Sequence, residues 1–207
     1  MVHIELSAPE HVLQSFERPG QFVELTAAGE SAYFAIASAP GAGHLEFLIK
    51  DAARQPARAL CRLAIGQRVA GGVVAGQGFD LSLLEGDVRA VHLFAMGSGV
   101  APLRSMILHR MHTRAHNIPI TLWQSAFSVD HVPFLYEHDV WTAAGVEVVL
   151  CLDQDPASAG VVEMLGVRRP DLREAAAYWV GSETYGETIR DALKVHGLPS
   201  AALLTNT

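Results

Sequence analysis

The chain has few cysteines, little charge and no long apolar segment. Two of its 207 residues are cysteines, and Cys61 and Cys151 stand far apart in apolar or turn contexts. We therefore expect free thiols rather than a disulfide or a metal site. No run approaches the roughly 18 apolar residues that a membrane-spanning helix requires. The first residues carry neither a basic region nor an apolar core, so we expect no signal peptide and a cytoplasmic protein.

Positive charge is also scarce. The 15 lysines and arginines are outnumbered by 22 aspartates and glutamates, which gives a net charge of −7, and no basic block is present. Nucleic acid and anionic membranes are therefore not expected partners. An acidic chain also repels an anionic dinucleotide at long range, so such a site must supply local hydrogen-bond donors. Because 50% of the residues are hydrophobic, the chain can bury a sizeable core.

Residues 1–84 have the pattern of a small antiparallel β-barrel or sandwich. Short β-type runs alternate with turns rich in glycine and proline, which is typical of such folds. The predicted strands are Val2–Leu6, Gln21–Thr26, Phe34–Ala37, Leu45–Ile49 and Arg68–Val74. One predicted helix, Pro56–Leu63, interrupts them.

From residue 85 to residue 207 the pattern changes to alternating strands and helices. The predicted strands are Val88–Met96, Ile118–Gln124, Val146–Leu150, Ala177–Val180 and Ala201–Leu204. The predicted helices are Pro102–His112, with Pro102 at the first helical position, Val129–Ala143 and Glu183–His196. Nearly continuous apolar strands of this kind indicate a parallel sheet that is covered on both faces. We therefore predict a Rossmann-like α/β domain with a five-stranded parallel sheet.

Two short strings carry most of the functional information. The run from Gly97 to Pro102 stands between a predicted strand and a predicted helix. That layout presents backbone N–H groups and a positive helix end to a phosphate. The string Phe34–Ser38 ends a strand-rich segment well upstream. Together they indicate a flavin module followed by a nicotinamide module.

Further strings place this pattern in a known family. They are Arg18–Val23, Phe47–Lys50, Gly76–Phe79 and Val180–Ser182. In this order the motifs resemble the ferredoxin–NADP reductase superfamily over nearly the whole chain. The resemblance implies a barrel that binds FAD or FMN and an α/β domain that binds NAD(P)H. It also implies that hydride passes to the flavin and electrons then pass to an acceptor, either a protein or a small molecule.

The resemblance also implies cofactor-binding positions. On the flavin side they are Phe34, Ala35, Ile36, Ala37, Ser38, Ile49 and Lys50, with Arg54 or Arg58 as a phosphate contact. On the dinucleotide side they are Gly97, Ser98, Gly99, Val100, Ala101, Pro102, Gly181 and Ser182. Ser182 also suits the N-cap of the following helix. No protein acid or base is implied as catalytic, because the cofactors carry the chemistry.

Four positions depart from the family pattern. Ala32, Ala35, Phe127 and Val180 stand where the resemblance implies arginine, serine, arginine and cysteine. Loss of the cation at position 32 predicts weak flavin binding, and Phe127 gives no support for a preference for NADPH. These changes favour an alternative, a catalytically silent ferredoxin-reductase-like module with a binding or regulatory role. A nucleotide sensor that uses only the second domain is a third interpretation.

Histidines recur at helical spacing but are not predicted to bind metal. His109, His112 and His116 form one group, and His131 with His138 forms a second. The first group lies opposite the apolar stripe of its helix, so we expect a solvated face rather than a zinc site.

The barrel has little sequence available for its first strands. Where the family has two strands before the string that begins at Arg18, this chain has room for one, Val2–Leu6. A missing strand leaves an open edge. We expect a partner, a second copy in a homo-oligomer or a local rearrangement to cover that edge.

Overall fold

In the computed structural model, residues 1–52, 54–113, 118–154 and 159–206 are described. The N-terminal elements are β1 Val2–Leu6, α1 Glu10–Gln14, β2 Phe22–Ala27, β3 Glu30–Ala35, β4 Leu45–Ile49, α2 Ala57–Leu60 and β5 Ala70–Ala75. These strands form a three-stranded antiparallel sheet in the order β3-β2-β5 and an antiparallel pair, β1-β4. An isolated bridge between Ile36 and Phe47 links the two sheets. The prediction of a small antiparallel β-domain is confirmed.

The alternation of side chains along these strands builds the N-terminal core. Val23 and Leu25 on β2 point inward and pack with Ile36, Phe47 and Leu60. Residues between them on β2 are less buried, as expected for a sheet with one face toward the core. One face of the β-domain is therefore specified directly by the period-two pattern.

One side of the β-domain is open. Among the described strands, β1 has β4 as its single neighbour and β5 has β2 as its single neighbour, so each keeps a free edge. A groove of about 360 Å³ lies between them, with Leu6 on one side and Gly71 to Val73 on the other. A single strand, β1, precedes Arg18, as the sequence predicted.

The C-terminal part is a covered parallel sheet. Its elements are β6 Ala90–Met96, α3 Val100–Thr113, β7 Ile120–Ala126, α4 His138–Ala143, β8 Val146–Leu152, α5 Val161–Arg168, β9 Ala175–Val180, α6 Glu183–Val195 and β10 Leu203–Leu204. The five strands are parallel in the order β10-β9-β6-β7-β8. This confirms the predicted five-stranded parallel sheet.

Helices cover both faces of this sheet. Leu103 and Ile107 on α3 pack with Trp141 of α4 against one face. Leu165 of α5 and Ile189 of α6 pack against the other. None of the described helices combines the length and the apolar character that crossing a bilayer requires.

Two helix predictions differ from the structure. The helix predicted over Val129–Ala143 is wrong, because Pro133 and a left-handed Phe134, with φ of 57°, interrupt it. Short 3₁₀ turns precede α4 in that segment. Pro102 is the third residue of α3 rather than the first, since the turn at Gly97–Gly99 runs directly into the helix. Helix α5 was not predicted.

A buried arginine joins the two domains. The side chain of Arg104 on α3 is 7% exposed. Its Nη1 donates to Oε2 of Glu46 on β4, at 2.7 Å, and to the carbonyl oxygen of Ala37, at 2.8 Å. Its Nε and Nη2 donate to the carboxylate of Glu137, at 2.8 and 2.9 Å. The guanidinium also lies 4.7 Å from the ring centroid of Phe134. Its contacts thus tie the β-domain to the α/β domain.

Glu46 is the most strongly held carboxylate at this junction. Its Oε2 accepts from Nε2 of His3 at 2.7 Å, and its Oε1 accepts from Nε2 of His44 at 2.8 Å. Burial by itself raises the pKa of Glu46. The hydrogen bonds from both histidines and the charge of Arg104 outweigh burial and lower the pKa to about 2.

Removing the cation should destabilise the fold. Arg104→Ala removes the guanidinium from the buried carboxylate of Glu46 and the half-buried carboxylate of Glu137, so the free energy of unfolding should fall by about 3–5 kcal/mol. Urea denaturation measures this loss. Arg89→Ala is the control, because its ion pair with Glu174 is exposed and should contribute less than about 1 kcal/mol. Equal losses for the two variants would show that the buried pair does not join the domains.

The lowered pKa of Glu46 makes stability depend on pH. The ionised carboxylate stabilises the folded state above pH 4.5, and this contribution is lost as the pH falls through about 2. The difference in unfolding free energy between the native chain and Glu46→Gln should therefore shrink across that window. Urea titrations at several pH values measure it. A difference that is constant over the window would contradict the assignment.

Candidate functional site

A cleft of about 590 Å³ lies between the two domains, at the carboxyl ends of β6 and β9. Chain connections leave β6 and β9 toward opposite sides of the sheet, which is where open α/β sheets bind ligands. The described residues that line the cleft are Met1, Tyr33, Phe34, Ala35, Leu48, Ile49, Lys50, Ala52, Ala57, Met96, Gly97, Ser98, Gly99, Ala101, Pro102, Val180, Gly181 and Ser182. Most of the predicted cofactor-binding positions are thus brought together.

The glycine turn forms one wall of the cleft. After β6 the backbone turns at Gly97, whose φ is 56°, and passes through a 3₁₀ turn into α3. No side chain caps this end. The N–H of Val100, the first residue of α3, bonds to carbonyls of the turn, and Pro102 has no N–H, so the donors that remain for an anion are the N–H groups of the turn itself, at the positive end of the helix dipole. A Cβ at Gly97 would meet no atom within 4 Å, so the space beside this residue is open.

Gly99 and Gly181 are glycines for packing reasons. A Cβ on Gly99 would overlap the carbonyl oxygen of Val180 and lie 2.8 Å from its carbonyl carbon. A Cβ on Gly181 would lie 2.7 Å from the ring of Tyr185. The backbone of Val180 therefore accounts for Gly99, and the ring of Tyr185 accounts for Gly181, without any ligand.

The opposite wall comes from the β-domain. Phe34 and Ala35 end β3, Ile49 ends β4, and Lys50 follows it directly. Tyr33 is 64% exposed and contacts Phe22 edge-on, with ring centroids 5.2 Å apart. Among the described lining residues, Lys50 supplies the one lysine or arginine side chain. Ala32, the position of the lost cation, does not line the cleft.

Three predicted residues are buried instead of lining the cleft, and two of them, Ala37 and Ser38, accept hydrogen bonds from α3 through their carbonyl oxygens. Ile36 and Ala37 are fully buried, and Ser38 is almost so. The Ser38 hydroxyl donates to the carbonyl of His44 and accepts from the N–H of Glu46. Its carbonyl accepts from the Ser105 hydroxyl at 2.6 Å. These side chains therefore hold the wall in place.

The remaining predicted positions divide between the core, the surface and a cap. Val100 is fully buried. Arg54 and Arg58 are exposed and are not among the residues that line the cleft. The Ser182 hydroxyl accepts from the N–H of Tyr185 at 3.2 Å, which confirms Ser182 as the N-cap of α6.

A second cavity, of about 730 Å³, adjoins the first and was not predicted from the sequence. The two cavities share Met1, Lys50, Met96 and Gly97. The second is lined further by Ser125, Ala126, Phe127, His131, Asp153, Gly160, Val161, Val162, Glu163, Tyr185 and Thr188. These residues come from separate segments of the chain, so no contiguous sequence motif predicts the cavity.

Tyr185 is a buried lining residue of the second cavity. Burial raises its pKa above the ordinary value for tyrosine, so the phenol stays neutral. Its hydroxyl lies 3.2 Å from the Ser125 hydroxyl and donates to the carbonyl of Ala95 at 3.4 Å. The ring therefore presents a fixed, uncharged surface.

The described histidines and cysteines do not form a metal centre. No group of three metal-ligating side chains is found in the described part of the chain. His131 bonds to the Ser128 hydroxyl and His138 to the Gln124 side chain, whereas His116 lies outside the described residues. Both cysteines are free thiols, as predicted. Burial raises the pKa of Cys151 to about 12, which makes its thiol inert.

Comparison with known proteins finds one curated relative and a set of solved structures. No family model matches the chain. The reductase component of propane 2-monooxygenase from Rhodococcus jostii is 25% identical over 200 residues, which cover 88% of this chain and 53% of that protein. The chain thus spans about half the length of the curated relative that it matches.

Solved structures show the same fold. Phthalate dioxygenase reductase matches with a TM-score of 0.78 and 18% identity over 98% of this chain and 62% of its own. The cytochrome P450 reductase GcoB of Amycolatopsis matches with a TM-score of 0.76 and 20% identity, over 92% of this chain and 61% of its own. A ferredoxin–NADP⁺ reductase from Neisseria gonorrhoeae matches with a TM-score of 0.74 and 17% identity, over 98% of this chain and 90% of its own.

The chain therefore has the two-domain fold of the ferredoxin–NADP reductase-like flavoprotein reductases, as its motifs predicted. In this chain that fold consists of a small antiparallel β-domain followed by a parallel five-stranded sheet.

Loop contact at the glycine turn can be tested by adding one methyl group. Gly99→Ala should lower the unfolding free energy by about 1–3 kcal/mol, because its Cβ overlaps the backbone of Val180. Gly166→Ala is the control. Gly166 lies inside α5 with no atom near its Cβ position, so that change should stabilise by about 0.5–1 kcal/mol. Thermal denaturation measures both, and a neutral Gly99→Ala would contradict the close contact.

Proposed function

We propose that the chain is a flavin-dependent NAD(P)H oxidoreductase, which passes electrons from a nicotinamide cofactor through FAD or FMN to an acceptor. One observation carries the proposal. Two cavities of about 590 and 730 Å³ adjoin at the domain junction and share Lys50 and Gly97. Each has the size of a small-molecule site, and a junction is what two cofactors in contact require. The likeness of fold to flavin and pyridine-nucleotide reductases supports it.

The residues present suit such cofactors. Lys50 provides a cation beside the first cavity, and the N–H groups around Gly97 and Ser98 provide donors for phosphate. Phe34 and Tyr33 provide flat apolar surface for a ring system. When bound, a flavin would supply hydride acceptance and single-electron transfer. The role of the protein would then be to orient the cofactor rings and to exclude water from the domain junction.

Two lining residues favour a second candidate function. Ala35 and Val180 line the first cavity, and neither side chain can donate or accept a hydrogen bond. Apolar groups at these places support a catalytically silent module that binds a partner or a nucleotide. If the chain is an oxidoreductase, Ala35 and Val180 affect only the rate of electron transfer, because no protein acid or base is required.

We propose a protein acceptor with a redox centre. A curated relative is a monooxygenase reductase component, and one structural neighbour is described as transferring electrons from pyridine nucleotides to [2Fe-2S]. We further propose that the boundary between the two domains lies between residues 84 and 85. We propose a cytoplasmic location for the protein. We also propose that a second copy of this chain covers the open edges of β1 and β5.

Flavin binding tests the proposal directly. Fluorescence titration with FAD and with FMN should show quenching for at least one of them. Lys50→Ala should weaken that binding by roughly tenfold, the low end for a lost charge-assisted bond. Lys194→Ala is the matched control, because Lys194 is exposed near the end of α6, and it should leave the affinity unchanged.

The alternative outcomes are distinct. No quenching with either flavin would overturn the oxidoreductase and favour the silent module. Unchanged quenching in both lysine variants would show that the chain binds flavin but that Lys50 does not contact it.

A further inference from the structure

The two free edges of the β-domain run in the same direction. β1 is antiparallel to β4, and β3 and β5 are both antiparallel to β2. The bridge between Ile36, which directly follows β3, and Phe47 on β4 is also antiparallel. β1, β3 and β5 therefore point one way, and β2 and β4 point the other way. Because β1 and β5 are parallel to each other, the described strands do not close into an antiparallel barrel by pairing these two edges.

The groove between the two edges is uncharged. Its described lining residues include no lysine, arginine, aspartate or glutamate, and core side chains of β2 and β4, among them Val23 and Phe47, line it as well. On the side of β5, the strand Ala70–Ala75 contains neither a charged residue nor a proline, and Val73 is 70% exposed. Apart from a bulge against β2, this edge lacks the features that normally keep a free strand from pairing.

The sequence of β1 is complementary to itself in an antiparallel pair. Along Val2–Leu6 the polar residues His3 and Glu5 are exposed, whereas Ile4 packs against the core. When two copies pair about Ile4, each imidazole stands opposite a carboxylate, and the two isoleucines stand opposite each other. A shift of two residues in either direction would set Glu5 against Glu5 or His3 against His3. Pairing about Ile4 is therefore the register that keeps like groups apart and the apolar residues on one face.

The structure assigns the open side of the β-domain to a second copy of this chain, bound by antiparallel pairing of β1 with the copy's β1 about Ile4. The inference rests on the second copy proposed above and specifies how it binds. A two-fold axis perpendicular to the strands reverses their direction in the copy. Because β1 and β5 run the same way, this one axis makes β1 antiparallel to the copy's β1 and β5 antiparallel to the copy's β5. Each copy thus covers the groove of the other through an uncharged contact.

Sedimentation velocity of the full chain over a concentration series tests the contact. The native chain should be a dimer, and Val73→Lys should raise its dissociation constant at least about tenfold, because two ammonium groups would be brought into an uncharged contact. Val167→Lys is the matched control. Val167 is 71% exposed on α5 and does not line the groove, so this change adds the same charge and should leave the dissociation constant unchanged.

Cross-linking tests the register. Residues that stand directly opposite in an antiparallel pair lie within the Cα separation that a disulfide spans. Ile4→Cys, treated with oxidised glutathione, should therefore give a covalent dimer on a non-reducing gel. Val195→Cys is the control for collision, because Val195 is 85% exposed on α6. The native chain under the same oxidant controls for Cys61, and neither control should give a covalent dimer.

The outcomes separate this inference from the proposed oxidoreductase. A native chain that stays monomeric over the series overturns the inference and leaves the groove to an extended segment of another protein. A dimer that both lysine variants weaken equally, or one that forms no cross-link through position 4, lies on another face and overturns it as well. None of these results changes the flavin titration, which decides the oxidoreductase independently.

Discussion

The buried guanidinium of Arg104 fixes the position of the two domains, and the cleft depends on that position. A charge removed from water must have its donors satisfied. Here they are satisfied by groups of both domains, Glu46 and Ala37 from one and Glu137 from the other. The wall residues Phe34 and Ala35 lie just before Ala37, and the glycine turn lies just before the helix that carries Arg104. Both walls are therefore held by the same ion network.

The sequence predicted the strands better than it predicted this network. Leu45–Ile49 and Val2–Leu6 were located without error, and the strands of the parallel sheet within a few residues, because apolar runs and glycine turns are local signals. The contact between Arg104 and Glu46 joins distant segments. Glu46 is the one charged residue in the apolar run of β4, and a charged residue in a strand is ordinarily expected at the surface. No periodic pattern identifies such a pair.

The errors of prediction have local causes of another kind. The helix predicted over Val129–Ala143 fails at Pro133, a helix breaker that the prediction overlooked, and at the left-handed Phe134, whose conformation the residue type does not predict. Helix α5 was missed because it is short and carries Gly166 in its interior. At the site, the glycine turn was predicted because its signal is contiguous. The second cavity was missed because its walls come from four or more separated segments.

The structure shows that Gly97 and Gly99, although they belong to one glycine turn, are glycines for different reasons. Gly99 is required by the carbonyl of Val180, so any chain with this fold needs it whether or not a ligand binds. Gly97 faces open space that belongs to both cavities, and its left-handed backbone, with φ of 56°, favours glycine there rather than any packing contact. An intact motif is therefore weaker evidence for a cofactor than the open space beside Gly97 and the charge of Lys50. When cofactors carry the chemistry of a reaction, the protein can lack polar side chains at positions 35 and 180 and still orient the cofactors. Function then depends on whether the chain still holds both cofactors, and the domain junction set by Arg104 is what places their two cavities in contact.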